Sequence, residues 1–222
     1  MKFKKFKAFA DIRVNKVVRH FIISDLFFVA GWGFINPVLA VFIIDKITGA
    51  TIETVGLAAA VYWILKAIFQ MPIGMYLDKN EGEKDDFYTL VMGLVLASVT
   101  AFLFVFIDKI WQLFALEALH ALAFAFYSPA WNSIFSRHID RDHYAFDWSL
   151  DSTTVALAAG VSGALGGWIA QSFGFDAIFV CASILTMIAA IVTFLSPDIV
   201  FPKPPSRQPF PPQDHRPHIF GS

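Results

Sequence analysis

Six long apolar runs constrain this chain more than any other feature of its sequence. A helix needs about 20 apolar residues to cross the hydrocarbon core of a bilayer, and each run is close to that length or longer. Short polar connections separate the runs. The sequence therefore predicts an all-α membrane protein with six transmembrane helices. The runs cover approximately residues 20–44, 54–77, 87–107, 110–136, 149–172 and 176–196.

The composition excludes an ordinary soluble domain. The 222 residues are 57% hydrophobic and only 16% charged, whereas soluble domains are about 45–50% apolar and about 25% charged. A single cysteine, Cys181, excludes an internal disulfide. The sequence contains no phosphate-binding glycine loop, complete catalytic set, metal-ligand pattern or basic aromatic surface. We therefore expect the lipid bilayer as its environment, and no enzyme activity, cofactor, metal or nucleic-acid partner.

Lysine and arginine in the connections predict the orientation. The N-terminal segment, the second and fourth connections and the C-terminal tail together hold fourteen of these residues. The first and third connections hold only Lys46 and Lys109. Because positively charged connections stay on the cytoplasmic side, we expect both termini in the cytoplasm and the chain in a cell membrane (inner or plasma).

Two segments flank the membrane domain, which we place at residues 20–196. Residues 1–19 are basic, and their alternating lysine and phenylalanine fit either a helix on an anionic membrane surface or a frayed tail that only fixes the topology. Residues 197–222 hold eight of the 11 prolines. A proline-rich cytoplasmic tail of this kind is expected to be extended or disordered.

Short matches between the two halves of the membrane domain suggest an internal repeat. Residues 55–61 and 155–161 agree at five of seven positions, and Gly74 and Gly174 share the same offset. The first and fourth runs both contain Phe-x-x-Pro, ending at Pro37 and Pro129. With three helices in each unit, the second unit would be inverted in the membrane, which is a known transporter architecture.

The end of the second run carries a recognisable motif. Residues 70–79 read QMPIGMYLDK and residues 80–84 read NEGEK. This stretch resembles the signature of the major facilitator superfamily (MFS) between helices 2 and 3, although it has one extra residue before the second glycine and acidic residues after it. The positions that match the signature are Gly74, Asp78, Lys79, Gly82 and Lys84.

A glycine-rich stretch in the fifth run is similar to the family's helix 5 signature. Ala164 stands where that signature has proline, so the resemblance does not extend to the antiporter subtype. Small residues at this spacing also let helices approach closely in lipid, whatever the function. We expect helix packing at Gly160, Gly163 and Gly167. In the fourth run, residues 117–120 read EALH where family members often carry arginine.

The resemblance covers residues 20–196 and implies transport of a small solute by alternating access, with the motif at the end of the second run gating the cytoplasmic side. Full members have twelve helices, so it also implies a homodimer or a second six-helix half. Two alternatives stay open. The chain is a non-transporting membrane scaffold or regulatory subunit, or it is one half of a split transporter.

We single out four ionisable residues that lie well inside the runs, namely Asp25, Lys66, Glu117 and His120. Each costs about 2.5–3.5 kcal/mol on insertion scales, so such residues are paired or line water. The helical rise of about 1.5 Å per residue puts all four in one central zone. We predict that Lys66 pairs with Asp25 or Glu117, leaving a carboxylate for a proton or a cationic substrate, and that His120 relays protons. A static ion pair between helices is the alternative.

Polar and aromatic residues near these charges complete the predicted substrate or proton pathway. Tyr62 and Gln70 share one helical stripe with Lys66. Asn36 and Tyr127 lie beside prolines that are expected to bend the first and fourth helices. Together they predict a cavity for aromatic or amphipathic solutes between the helices.

Overall fold

The computed structural model of the protein describes residues 15–79, 83–139 and 143–196. Gly82, residues 1–14 of the predicted basic segment and the predicted tail at 197–222 lie outside the described residues. A short 3₁₀ turn, Phe104–Phe106, follows directly on the helix Lys84–Leu103. The helices are α1 (Lys16–Ile35), α2 (Leu39–Lys46), α3 (Ile52–Leu77), α4 (Lys84–Leu103), α5 (Ile110–His138), α6 (Tyr144–Phe173) and α7 (Phe175–Phe194).

Six of these helices are long and apolar enough to cross a membrane. They are all of the helices above except α2, which has only eight residues. The all-α fold with six transmembrane helices is therefore confirmed. The predicted first run is divided in the structure, because α1 ends at Ile35 and α2 begins at Leu39.

Proline explains this division of the first run. Pro37 lies in the turn between α1 and α2, where its missing N–H and fixed φ interrupt the helical hydrogen bonds. Pro129 lies inside α5, which is helical on both sides of this residue. A bend at Pro129 therefore stays a prediction.

Local sequence determines where several helices begin and end. Asn15 caps α1, because its side-chain oxygen accepts a hydrogen bond from the Val17 amide at 3.0 Å. Thr51 and Thr54 form a reciprocal capping box at the start of α3, which satisfies amides that have no partner within the helix. Gly174 alone separates α6 from α7, and its φ of +86° is a conformation that favours glycine.

Each helix packs against particular neighbours. α1 packs against α6 and α7, α5 packs against α3 and α4, and α4 packs against α7. The Ser24 hydroxyl of α1 donates a hydrogen bond to the Ala189 carbonyl of α7 at 3.0 Å. The Ser98 hydroxyl of α4 donates one to the Ser183 carbonyl of α7 at 2.9 Å. α1 and α5 are thus the two helices around which the others assemble.

This set of helix pairs has an internal symmetry. If α1 is exchanged with α5, α3 with α6 and α4 with α7, the list of helix pairs in contact stays the same. The predicted repeat would produce the same set, and it stays a prediction. Gly74 and Gly174 do not occupy equivalent positions, because Gly74 lies inside α3 whereas Gly174 links two helices.

Among the glycines of α6, Gly166 makes the closest approach to α1. A β-carbon at Gly166 would come within 2.6 Å of the Phe34 carbonyl oxygen. At Gly160 and Gly167 it would meet no described atom within 4 Å, and at Gly163 only ordinary contacts at 3.9 Å. The helical period explains the difference, since Gly160 and Gly167 lie on a face of α6 that is turned away from α1.

Candidate functional site

A cavity of about 600 Å³ opens between α1, α2, α3, α5 and α6. No residue of α4 or α7 lines it among the residues that the structure describes. The cavity brings together three of the four predicted ionisable residues, Lys66, Glu117 and His120, with Asn36 and Tyr62. We call it the aromatic cavity, defined by Trp32, Tyr62, Trp63, Lys66, His120 and Phe124.

Three aromatic rings enclose the imidazole of His120. Trp32 stacks on it with ring centroids 4.0 Å apart and planes 9° apart, and Tyr62 lies at 4.2 Å. Phe124, one helical turn further along α5, meets it edge to face at 4.8 Å. His120 and Phe124 share a face of α5 because they are four residues apart. The imidazole is therefore held in one orientation at the wall of the cavity.

Glu117 and His120 form a buried pair. The Nδ1 of His120 lies 3.0 Å from Oε2 of Glu117, and both side chains are almost fully buried. With Glu117 ionised, Nδ1 carries the proton and donates it, which leaves Nε2 as the free position of a neutral imidazole. Nε2 is buried and has no hydrogen-bond partner in the described part of the chain. The pair therefore leaves one ring nitrogen without a hydrogen-bond partner in the described part of the chain.

Lys66 does not form the predicted ion pair. Its Nζ lies 5.3 Å from the Trp63 ring centroid, 5.6 Å from that of Phe124 and 5.9 Å from that of Tyr62. Within residues 15–79, 83–139 and 143–196, no ion pair joins it to Asp25 or Glu117. The reason is that the aromatic faces cover the ammonium group, while each carboxylate has another partner.

Asp25 lies in a second cavity, of about 400 Å³. Its carboxylate accepts a hydrogen bond from the Tyr127 hydroxyl. We call this space the acidic cavity, and its polar lining includes Asp25, Tyr127, Asn132 and Asp151. Phe28 and Val29 of α1 line both cavities. The four ionisable residues therefore occupy two adjoining cavities instead of one central zone.

Asp151 is a candidate residue that the sequence analysis missed. The fifth run was placed at 149–172, but α6 already begins at Tyr144. Asp151 therefore lies about 10 Å from the helix start at a rise of about 1.5 Å per residue, and it is only 6% exposed. The signal that would have found it is the one that identified Asp25, an ionisable residue inside an apolar run.

A third space, a groove of about 770 Å³, runs between α3 and α5. It is lined by Gln70, Gly74 and Asp78, and it also reaches Lys66. Gly74 faces Pro129, since a β-carbon there would lie 3.7 Å from that ring. The other described residues of the motif, Lys79 and Lys84, are exposed near the ends of α3 and α4.

An ionic cluster ties the start of α4 to the end of α5. Arg137 donates a hydrogen bond to Asp86 at 2.6 Å, and Nε2 of His138 lies 3.5 Å from Oε2 of Glu83. Burial raises the pKa of Glu83, although the charges of His138 and Arg137 oppose this shift. The sequence analysis had assigned all four residues to connections or run ends. They instead pair across two helices.

Comparisons with known proteins agree with this architecture. A family model described as Major Facilitator Superfamily matches residues 21–221. An uncharacterized MFS-type transporter of Methanocaldococcus jannaschii is 24% identical over 161 residues, which are 72% of this chain and 40% of that protein. The match thus spans well under half the length of this curated relative.

A solved structure shows the same fold. The in meso crystal structure of the POT family transporter PepTSo superposes with a TM-score of 0.70 at 15% sequence identity. The match covers 87% of this chain and 40% of that one. The six-helix arrangement found here therefore corresponds to part of a larger helical protein.

Proposed function

Because the chain belongs to the Major Facilitator Superfamily, we propose that it acts as one six-helix half of a secondary transporter that moves a small solute by alternating access. The observation that carries the proposal is the placement of ionisable side chains. Lys66, Glu117 and His120 line one cavity, and Asp25 and Asp151 line the next. Ionisable residues that face cavities inside membrane segments mark substrate and proton pathways.

A second six-helix unit completes the transporter in this proposal. In α3 and α6, only 11% and 17% of the residues in the apolar membrane-spanning stretch are buried, against 39–56% in the other spans. Exposed apolar residues on these two helices include Trp63, Ile68, Leu157 and Val161. A twofold axis along the membrane normal relates the halves of such transporters. A second copy of this chain, or a separate six-helix chain, would cover this face.

The proposed orientation has both termini in the cytoplasm of a cell membrane. The fourteen basic residues on one side, against two on the other, support it. The groove lined by Gln70, Gly74 and Asp78 would then open towards the cytoplasm. Its position at the end of α3 supports a gating role for the motif between the two halves.

We assign proton coupling to the Glu117–His120 pair. Its free Nε2 and its position at the cavity wall support this role. The test is solute-driven proton flux into proteoliposomes that contain a pH-sensitive dye, with a panel of small solutes. Glu117→Gln is expected to abolish the flux, and Glu53→Gln, at the exposed start of α3, is the matched control. Flux that survives Glu117→Gln would refute the coupling role.

The native mass in a lipid nanodisc tests the assembly. We expect a particle that contains two copies of the chain. A stable monomer would refute the homodimer and direct the search to a separate second half. A dimer that produces no flux with any solute would favour the scaffold or regulatory alternative.

A further inference from the structure

We propose that the acidic cavity is a binding site for an organic cation, with the carboxylates of Asp25 and Asp151 facing its ammonium group. The physiological meaning of this site rests on the proposed transport function, since it would name the class of solute. The binding itself does not require transport. It can therefore be tested separately.

The charge of the cavity is the first argument. Asp25 on α1 and Asp151 on α6 both line it, and they are 7% and 6% exposed. Its lining contains no lysine, arginine or histidine among the residues that the structure describes. Lys66 lies in the adjoining cavity beneath aromatic rings. Two carboxylates thus share a space in which no side chain balances their charge.

The hydrogen bonding of the two carboxylates is the second argument. Asp25 has a partner, the Tyr127 hydroxyl. Oδ1 of Asp151 is buried and has no hydrogen-bond partner in the described chain. A buried polar atom without a partner costs about 1–3 kcal/mol, so such an atom at the wall of a cavity indicates a missing donor. An organic cation that also carries an N–H or O–H group, as choline does in its hydroxyl, would supply both the donor and the positive charge.

Size and lining distinguish an organic cation from a bare metal ion. The cavity encloses about 400 Å³, which lies in the range of about 300–1,000 Å³ that is typical of small-molecule sites. Phe28, Tyr127 and Trp131 contribute aromatic rings to its wall. Aromatic faces attract organic ammonium ions, whereas sodium prefers a compact shell of oxygen atoms.

The experiment measures binding of radiolabelled choline to the full chain in lipid nanodiscs, with choline as a probe for the quaternary ammonium group. The competitor 3,3-dimethylbutanol has the same shape without the charge, and sodium chloride is the inorganic competitor. The variants are Asp151→Asn and Asp25→Asn. Asp176→Asn, at the exposed start of α7, is the matched control for loss of a carboxylate.

We expect saturable choline binding that weakens at least tenfold in Asp151→Asn and Asp25→Asn, and that is unchanged in Asp176→Asn. A thermal melt of each variant separates loss of the site from loss of the fold. Absence of saturable binding, equal binding by Asp151→Asn, or equal competition by the uncharged alcohol or by sodium would overturn the proposal. Choline binding without any transport would instead count against the proposed function alone.

Discussion

The Asp86 carboxylate, which is completely buried, accepts a 2.6 Å hydrogen bond from the Arg137 guanidinium and so joins the start of α4 to the end of α5. Arg137→Met would leave this carboxylate without its charged partner. We expect a loss of about 2 kcal/mol in unfolding free energy, as for hydrogen bonds to charged groups. The Arg137 side chain is 38% exposed, which keeps the loss below that of a fully buried pair.

A double-mutant cycle with Asp86→Asn isolates the contribution of this pair, because Arg137 has other contacts. Unfolding is followed in detergent by circular dichroism. The double variant should be more stable than the sum of the two single losses implies. Strict additivity would show that the two side chains do not stabilise each other.

Lys66→Met should change stability little. The ammonium group contacts aromatic rings, and such contacts contribute about 0.5–1 kcal/mol at accessible sites. Removing one member of a buried ion pair would cost about 3–5 kcal/mol. A melting temperature close to that of the parent, together with lost transport, is therefore the expected result. A large destabilisation would instead reveal the static ion pair that the sequence also allowed.

Adjacent glycines on α6 should respond oppositely to the same substitution. Gly166→Ala would place a methyl group against the Phe34 carbonyl, and overpacking of this kind costs about 1–3 kcal/mol. Gly167→Ala meets no described atom and should be neutral or slightly stabilising, since alanine favours the helix. Thermal unfolding of the two variants side by side decides the matter, and equal melting temperatures would contradict the α1–α6 contact.

Glu83 should give the stability a specific pH dependence. Burial raises its pKa in the folded chain above the ordinary value of 4.5. The folded state then holds the Glu83 proton more tightly than the unfolded state. The stability that this proton contributes is therefore complete below the unfolded pKa and is lost as the pH rises through the folded pKa.

We therefore expect Glu83→Gln to gain stability relative to the parent as the pH rises above 4.5. Melting temperatures of both proteins across this range test it, with Glu53→Gln as the control. Parallel curves for the Glu83 variant and the parent would mean that Glu83 does not titrate differently on folding.

The spans and the all-α fold followed directly from the sequence, because long apolar runs have few alternatives in a bilayer. Positions within the helices were harder to predict. The start of α6 was placed five residues too late, which put Asp151 only two residues inside the run, where it was passed over. An error of this size in a helix boundary is enough to move an ionisable residue from the cavity to the membrane edge.

The contact partners of individual side chains could not be predicted from the sequence, for a different reason. Depth estimates placed Lys66 near Glu117 correctly, and both line the aromatic cavity. They could not show that the Glu117 carboxylate is already hydrogen-bonded to His120. Likewise, glycine spacing indicated a helix contact, but the rotation of α6 about its axis decides that Gly166 makes it. Both outcomes depend on packing between helices that are distant in sequence.

The packing of α1 against α6 and α7 also has a consequence for the time during which the chain is made. More than a hundred residues separate Ile35 from Tyr144, and a ribosome adds about 5–20 residues per second. The first helix is thus complete for about 5–20 s before its main neighbours are synthesised. During that interval Asp25 and Ser24 lack the surroundings that later bury them. During synthesis, the insertion machinery therefore has to cover the polar groups of this first helix. A chain that terminates before α6 would leave the helix without its neighbours and exposed to proteolytic quality control.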